Sequence, residues 1–229
     1  MKLVTYPDRD MMMLDVANQL AAELAGALRS QDRATLSVPG GTTPGPVFDV
    51  LSGVDLGWNR VSVLLNDERW VPDSSDRSNT RLLRARLLQG PAAAATLVPL
   101  YADAPTPEDR LDELAAGILP HLPISVLLLG MGADMHTASL FPGADRLAEA
   151  LAEGAPPLMA LRAAGAGEPR ITLTAPVLRA AMSIHILITG AEKRAAVEQA
   201  QHLDPMVAPV RTVLQHATVH WRTRRKAMR

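Results

Sequence analysis

The stretch LLLGMGADMHTASLFPG, Leu127 to Gly143, carries an apolar strand straight into two glycines, an aspartate, a histidine and small hydroxyl residues. Its upstream part, ISVLLLG (124–130), is apolar nearly throughout. Strands of that kind are buried on both faces of a parallel sheet. Open parallel sheets bind ligands just beyond the carboxyl ends of their strands, which gives polar, titratable groups a reason to follow this strand.

On either side of it, ATLSV (34–38), RVSVLL (60–65), a short run near Leu97, RITLT (170–174) and SIHILITG (183–190) also read as strands. Between them lie helical patterns. Asp10 to Leu28 has apolar residues at Leu14, Ala17, Leu20, Ala21, Leu24 and Leu28, an amphipathic spacing. Pro44 suits the first turn of a helix running through Leu51, since its missing N–H costs nothing there. Further helices are expected through Leu88, from Pro107 to Ile118 with Thr106 as cap, from Pro176 to Ala180, and from Ala191 to about Gln201. Alternation of strands and helices predicts an α/β fold, a doubly wound, mostly parallel sheet with crossover helices. No internal repeat or linker interrupts residues 1–229, so one domain is expected, with room for a small appended lobe.

Four segments then place polar groups at strand ends: Gly40–Thr43, Asn66–Asn79, Gly130–Thr137 and Gly190–Lys193. Parallel strands would bring all four to one edge. In GGTTP (40–44), Gly40 and Gly41 let backbone N–H groups approach a ligand, Thr42 and Thr43 add hydroxyls, and the following helix start favours an anion. A tight capped turn would look the same. In NDERWVP (66–72), Asp67, Glu68 and Arg69 form either a solvated loop or an arginine held by carboxylates and offered to an oxyanion. GMGADMH (130–136) has Gly130 and Gly132 of a dinucleotide pattern but lacks the third glycine. Its Asp134 stands two residues before His136, where a carboxylate can orient an imidazole as general base. Arg170 and Lys193 are isolated cations that read as surface charges unless both face the Gly-Thr loop. His185 lies within a strand; His202, His216 and His220 have no partner at metal-ligand spacing, and no metal motif is found.

Composition narrows the classes. Hydrophobic residues make up 48% of 229 residues, enough for a sizeable core, while aromatics at 3% leave it to Ala, Leu and Val. The absence of cysteine excludes disulfides and a thiol nucleophile. A net charge of −1 makes no case for nucleic acid, and the basic tail WRTRRKAMR (221–229) reads as a solvated terminus. No stretch reaches the ~20 apolar residues of a membrane span, and the start MKLVTYPDRD is no signal peptide. A cytoplasmic protein is expected.

PGGTTP (39–44), NDERWVP (66–72) with RSNTRLL (77–83), LGMGADMHTASLFPG (129–143), PRITLT (169–174) and GAEK (190–193) fall in order along the chain. Together they resemble the 6-phosphogluconolactonase family. The resemblance implies the modified doubly wound fold shared with glucosamine-6-phosphate deaminases, ribose-5-phosphate isomerases and CoA transferases. It implies hydrolysis of 6-phosphoglucono-1,5-lactone to 6-phosphogluconate in the oxidative pentose phosphate route, with no metal or organic cofactor. The partner is then a small phosphosugar lactone, with neither nucleic acid nor membrane, and the assembly a monomer or small homo-oligomer. His136 matches the family's general base, Asp134 the acid before it and Arg69 an arginine by the reacting centre. Gly41, Thr42, Thr43, Arg170 and Lys193 match phosphate-side positions; Gly40, Asp67, Glu68 and Gly132 join them as expected substrate contacts. Met135 departs from the usual glycine, and Pro39 from a small residue. Deaminase-type isomerases share the scaffold, but their helper acid is replaced by TASLFPG, with Phe141 near its place. A sugar-phosphate sensor would bring a DNA-binding helix-turn-helix, for which there is no room before Ala34.

Overall fold

Residues 1–222 are described by the computed structural model. Their strands are β1 (Lys2–Thr5), β2 (Ala34–Val38), β3 (Val61–Leu65), β4 (Asp67–Arg69), β5 (Thr96–Val98), β6 (Val126–Gly130), β7 (Leu158–Leu161), β8 (Arg170–Leu173), β9 (Ser183–Thr189) and β10 (Ala217–Arg222). Their helices are α1 (Arg9–Ser30), α2 (Gly45–Ser52), α3 (Asn79–Arg86), α4 (Leu111–Ile118), α5 (Leu147–Leu151), α6 (Ala175–Arg179), α7 (Ala191–Ala200) and α8 (Arg211–Leu214).

Seven strands form one sheet in the order β1-β10-β9-β6-β2-β3-β5, every pair parallel. From β2 the chain steps outward through β3 and β5, then returns to β6 on the other side and steps through β9 and β10. The winding therefore reverses between β2 and β6, and a reversal of this kind opens a crevice at the strand ends. The strands flanking it are buried end to end: all five residues of β2, and Val126 to Leu129 of β6. β4, β8 and β7 make a second, antiparallel sheet. Asn66 joins the two. Its side chain accepts from Ser37 Oγ at 2.6 Å and donates to the Leu128 carbonyl at 2.8 Å, and its own carbonyl accepts from Leu173 N at 2.9 Å.

Several expectations change. NDERWVP is not a solvated loop, because Asp67–Arg69 pair with β8, which buries Asp67 and Glu68 and half-buries Arg69. RITLT is a strand of the small sheet, outside the parallel one. α2 starts after Pro44, with Pro46 in its first turn. In α1 the buried stripe is Met12, Met13, Val16, Ala17, Leu20, Ala21, Leu24 and Leu28, capped by Asp8, whose carboxylate accepts from Met11 N at 2.7 Å. Leu14 lies on the opposite face, 51% exposed, because two methionines and a valine complete the 3.6-residue stripe without it. β1, β7 and β10 lie outside the stretches whose pattern predicts a strand. Trp221 and Arg222 of the basic tail are strand residues of β10, paired with β9; residues 223–229 lie outside the described residues. Among the described residues no helix is long and apolar enough to cross a membrane.

The histidines of β9 and β10 are partners of each other. His185 Nδ1 lies 2.9 Å from His220 Nε2, His185 Nε2 lies 2.8 Å from Glu23, and His220 Nδ1 lies 2.8 Å from Tyr6 Oη, which bonds Asp15 at 2.6 Å. This buried chain satisfies polar groups between α1 and the sheet.

Candidate active site

The loops after β2, β3, β6 and β9 converge at the crevice around a cavity of about 510 Å³, within the range of small-molecule sites. Gly40, Gly41, Thr43, Asp67, Arg69, Gly132, Asp134, His136, Arg170 and Lys193 all border it.

The turn after β6 is closed on itself. Gly132 N donates to the His136 carbonyl at 3.0 Å, Met135 N to the Gly132 carbonyl at 3.1 Å, and Thr137 Oγ1 to the Gly130 carbonyl at 2.8 Å. Inside it Asp134 Oδ1 lies 2.6 Å from His136 Nδ1 and accepts the His136 amide at 3.3 Å. A proton on Nδ1, held by the carboxylate, leaves Nε2 with its lone pair, the tautomer a general base needs. The His136 ring packs on Phe141 with centroids 4.3 Å apart. Met135 has φ 67°, a left-handed conformation that glycine adopts freely. Here the half-buried Met135 side chain rests on the core and its carbonyl accepts from Val210 N at 3.1 Å.

The cations are held from the small sheet. Arg170 opens β8 and is only 8% exposed, so it is not a surface charge. It lies 3.9 Å from Asp67 and 5.8 Å over the Phe141 ring, and donates to the Ala166 carbonyl at 3.0 Å. Burial pushes its pKa down, and the Asp67 carboxylate works against that. Arg69 Nη1 donates to the Arg77 carbonyl at 2.6 Å and to Asn79 Oδ1 at 3.0 Å. The Nε atoms of both arginines are buried without a partner among the described residues. Asp67, 7% exposed, accepts from Ser139 Oγ, which fixes Ser139 as a structural group. Three cations face two carboxylates, Asp67 and Asp134, so the cavity favours an anion.

Two expected contacts fall outside the cavity lining. Glu68 is fully buried beneath it and accepts from the amides of Arg69, Asn79 and Thr80, at 2.8, 2.8 and 2.7 Å, and from Ser78 Oγ at 3.1 Å. Its carboxylate is used up in anchoring the N-terminus of α3. Thr42 is exposed, and its carbonyl closes the turn by accepting from Gly45 N at 3.4 Å. Conversely, Asn79 and Phe141 border the cavity, beyond the contacts that the sequence predicts. Asn79 sits in the quoted RSNTRLL run, so its motif was visible although its contact with Arg69 was not. A Cβ on Gly40 would fall 2.0 Å from Asn79 Oδ1, so this glycine permits the loop to close on Asn79.

The sequence pattern of the glucosamine-6-phosphate isomerases/6-phosphogluconolactonase family matches residues 7–221. The 6-phosphogluconolactonase of Mesorhizobium japonicum is 44% identical over 215 residues, 93% of this chain and 90% of the relative. The crystal structure of a 6-phosphogluconolactonase from Shewanella baltica matches with TM-score 0.93 and 31% identity over 97% of both chains. A monomeric glucosamine-6-phosphate deaminase shares the fold with TM-score 0.77 at 15% identity, over 98% of both chains. A match that spans nearly every described element, from the start of α1 to Trp221 of β10, means that this chain belongs to the glucosamine-6-phosphate isomerase/6-phosphogluconolactonase family.

Proposed function

We propose that this chain hydrolyses 6-phospho-D-glucono-1,5-lactone to 6-phospho-D-gluconate, with His136 as the general base. The observation that carries the reading is the 2.6 Å Asp134–His136 contact in a cavity bordered by Arg69, Arg170 and Lys193. The phosphate docks on the Gly40–Thr43 loop with Lys193, and this remote anchoring positions the lactone carbonyl. His136 Nε2 takes a proton from water as the water oxygen attacks C1. The guanidinium groups stabilise the oxyanion that forms. The resemblance implies that role for Arg69, and the Phe141 ring shared by Arg170 and His136 supports adding Arg170 to it. As the tetrahedral intermediate collapses, the bond from C1 to the ring oxygen breaks and His136 returns the proton to that oxygen. Asp134 keeps the imidazole oriented throughout.

The deaminase reading is disfavoured by Phe141, which lies against His136 near where the helper acid would stand. We also read residues 1–229 as one domain, acting in the cytoplasm as a monomer or small homo-oligomer; the lack of cysteine fits that compartment. The test is lactone disappearance above the spontaneous rate, for the wild type beside His136→Ala. Acceleration that is lost in the variant supports both activity and base. No acceleration overturns the activity, and unchanged turnover in His136→Ala overturns the base. Ammonia release from glucosamine-6-phosphate would instead favour the deaminase.

A further inference from the structure

β10 meets the cavity wall at one point. Gly190 turns the chain from β9 into α7 with φ 91° and ψ 156°, a region that glycine alone occupies freely. Both of its backbone groups are held by β10: its N–H donates to the Arg222 carbonyl at 3.0 Å, and its carbonyl accepts Trp221 Nε1–H at 2.9 Å. The same carbonyl accepts from Arg194 N at 3.3 Å, which starts the helix. The Trp221 backbone is paired on both sides, registered with Ile188 of β9 and Thr5 of β1.

Two cations stand side by side in the first turn of α7, about 100° apart around the helix. Arg194 is drawn outward: its guanidinium lies 4.4 Å over the Trp221 ring and its Nε 2.9 Å from Glu198. Lys193 borders the cavity and makes no ion pair with any described residue.

We propose that Trp221 is a positioning residue for the anion end of the site: by clamping the Gly190 carbonyl and holding Arg194 over its ring, it sets the first turn of α7 so that Lys193 alone is presented to a phosphate monoester. The proposal deepens the lactone reading and rests on it for the identity of the substrate. It does not rest on it for the linkage between Trp221 and Lys193.

The full chain serves for the test. Trp221→Phe keeps an aromatic face for Arg194 and deletes the N–H donor; melting curves check that it folds. Loss of one hydrogen bond at the turn predicts a KM raised about three- to tenfold, a smaller change in kcat, and inorganic phosphate bound weaker by a similar factor in calorimetry. In a Lys193→Ala background, Trp221→Phe adds no further loss in either readout. Unchanged KM and phosphate binding in Trp221→Phe, or an equal loss with and without Lys193, overturns the proposal, as does a wild type that binds no phosphate. A wild type that binds phosphate, weakens on Trp221→Phe and yet opens no lactone overturns the substrate reading while the Trp221 linkage stands.

Discussion

Gly132→Ala is a one-carbon change aimed at the Asp134–His136 pair. A Cβ at Gly132 would lie 2.2 Å from His136 Nδ1 and 2.2 Å from Asp134 Oδ1, where ordinary contact begins near 3.4 Å. The pair must therefore withdraw by about 1.2 Å or break its 2.6 Å contact. Misplacement of a catalytic group by about 1 Å costs on the order of 100-fold, or about 2.7 kcal/mol of barrier. The backbone gives no other reason for loss, because Gly132 is not among the residues with positive φ. Stability should stay within about 1 kcal/mol of wild type, since the groups that must move are partly exposed side chains. The assay is initial-rate lactone disappearance with the spontaneous rate subtracted, paired with a melting curve. The expected result is a fall in kcat of about two orders of magnitude with a near-native melt. Turnover within threefold of wild type would refute the reasoning, since the crowded pair would then not be what catalysis depends on. As a control, Gly41 faces open space, so Gly41→Ala is strained only by its φ of 82° and should leave the Asp134–His136 contact alone.

Glu68→Ala should destabilise the fold by about 3 kcal/mol or more, because two buried amides, a partly buried one and a buried hydroxyl lose their acceptor; a near-native denaturation midpoint would contradict the anchoring role. Asn79→Ala frees Arg69 Nη1 from its side-chain partner and takes the Nδ2–H donor from the buried Asp67 carbonyl, so it should lower kcat/KM about tenfold and destabilise the fold by about 1–3 kcal/mol; unaltered kinetics would remove Asn79 from the site. Burial, and then the charge of His185, hold the His220 pKa down at about 4, against about 6.5 in the unfolded chain. Between those values the unfolded chain binds a proton that the folded chain refuses, so stability rises with pH across the window. Acidification from pH 7 to pH 5 should cost about 2 kcal/mol from this group, read as a shift of denaturant midpoint. His220→Gln should flatten that slope, and a parallel loss in both proteins would refute it. Leu14→Lys should change stability by less than about 0.5 kcal/mol, whereas Met13→Lys should unfold the protein; comparable melts would show that the buried face of α1 is misassigned.

Much of this molecule was legible because it is written locally. The unbroken apolar run of β6, the glycines after β2 and β6, and the alternation of strand and helix are properties of neighbouring residues. They suffice for a mostly parallel sheet with ligand-facing loops at its carboxyl edge. Asp134 and His136 share one turn, so their pairing could be read from a spacing of two. The helix from Arg9 was visible for the same reason, and with it most of the buried face, Ala17, Leu20, Ala21, Leu24 and Leu28; only its first turns differ, where Met12, Met13 and Val16 take the place of Leu14 once the helix is laid against the sheet.

What tertiary structure decided is what depends on distant residues meeting. Asp67, Glu68 and Arg69 look alike as three charges in a row, yet they diverge completely. Asp67 takes the hydroxyl of Ser139, Glu68 the amides opening α3, and Arg69 the carbonyl of Arg77 and the side chain of Asn79. Arg170 reads as a surface cation until β8 pairs with β4 and buries it beside Asp67. His185 and His220 have no shared motif, and the parallel pairing of β9 with β10 brings them to 2.9 Å. Helical and strand periodicities are encoded within a few residues and survive in isolation. The environment of a charge is set by strands paired across the chain, and only the folded sheet determines which charge is desolvated, which is saturated with donors and which is left to meet a substrate.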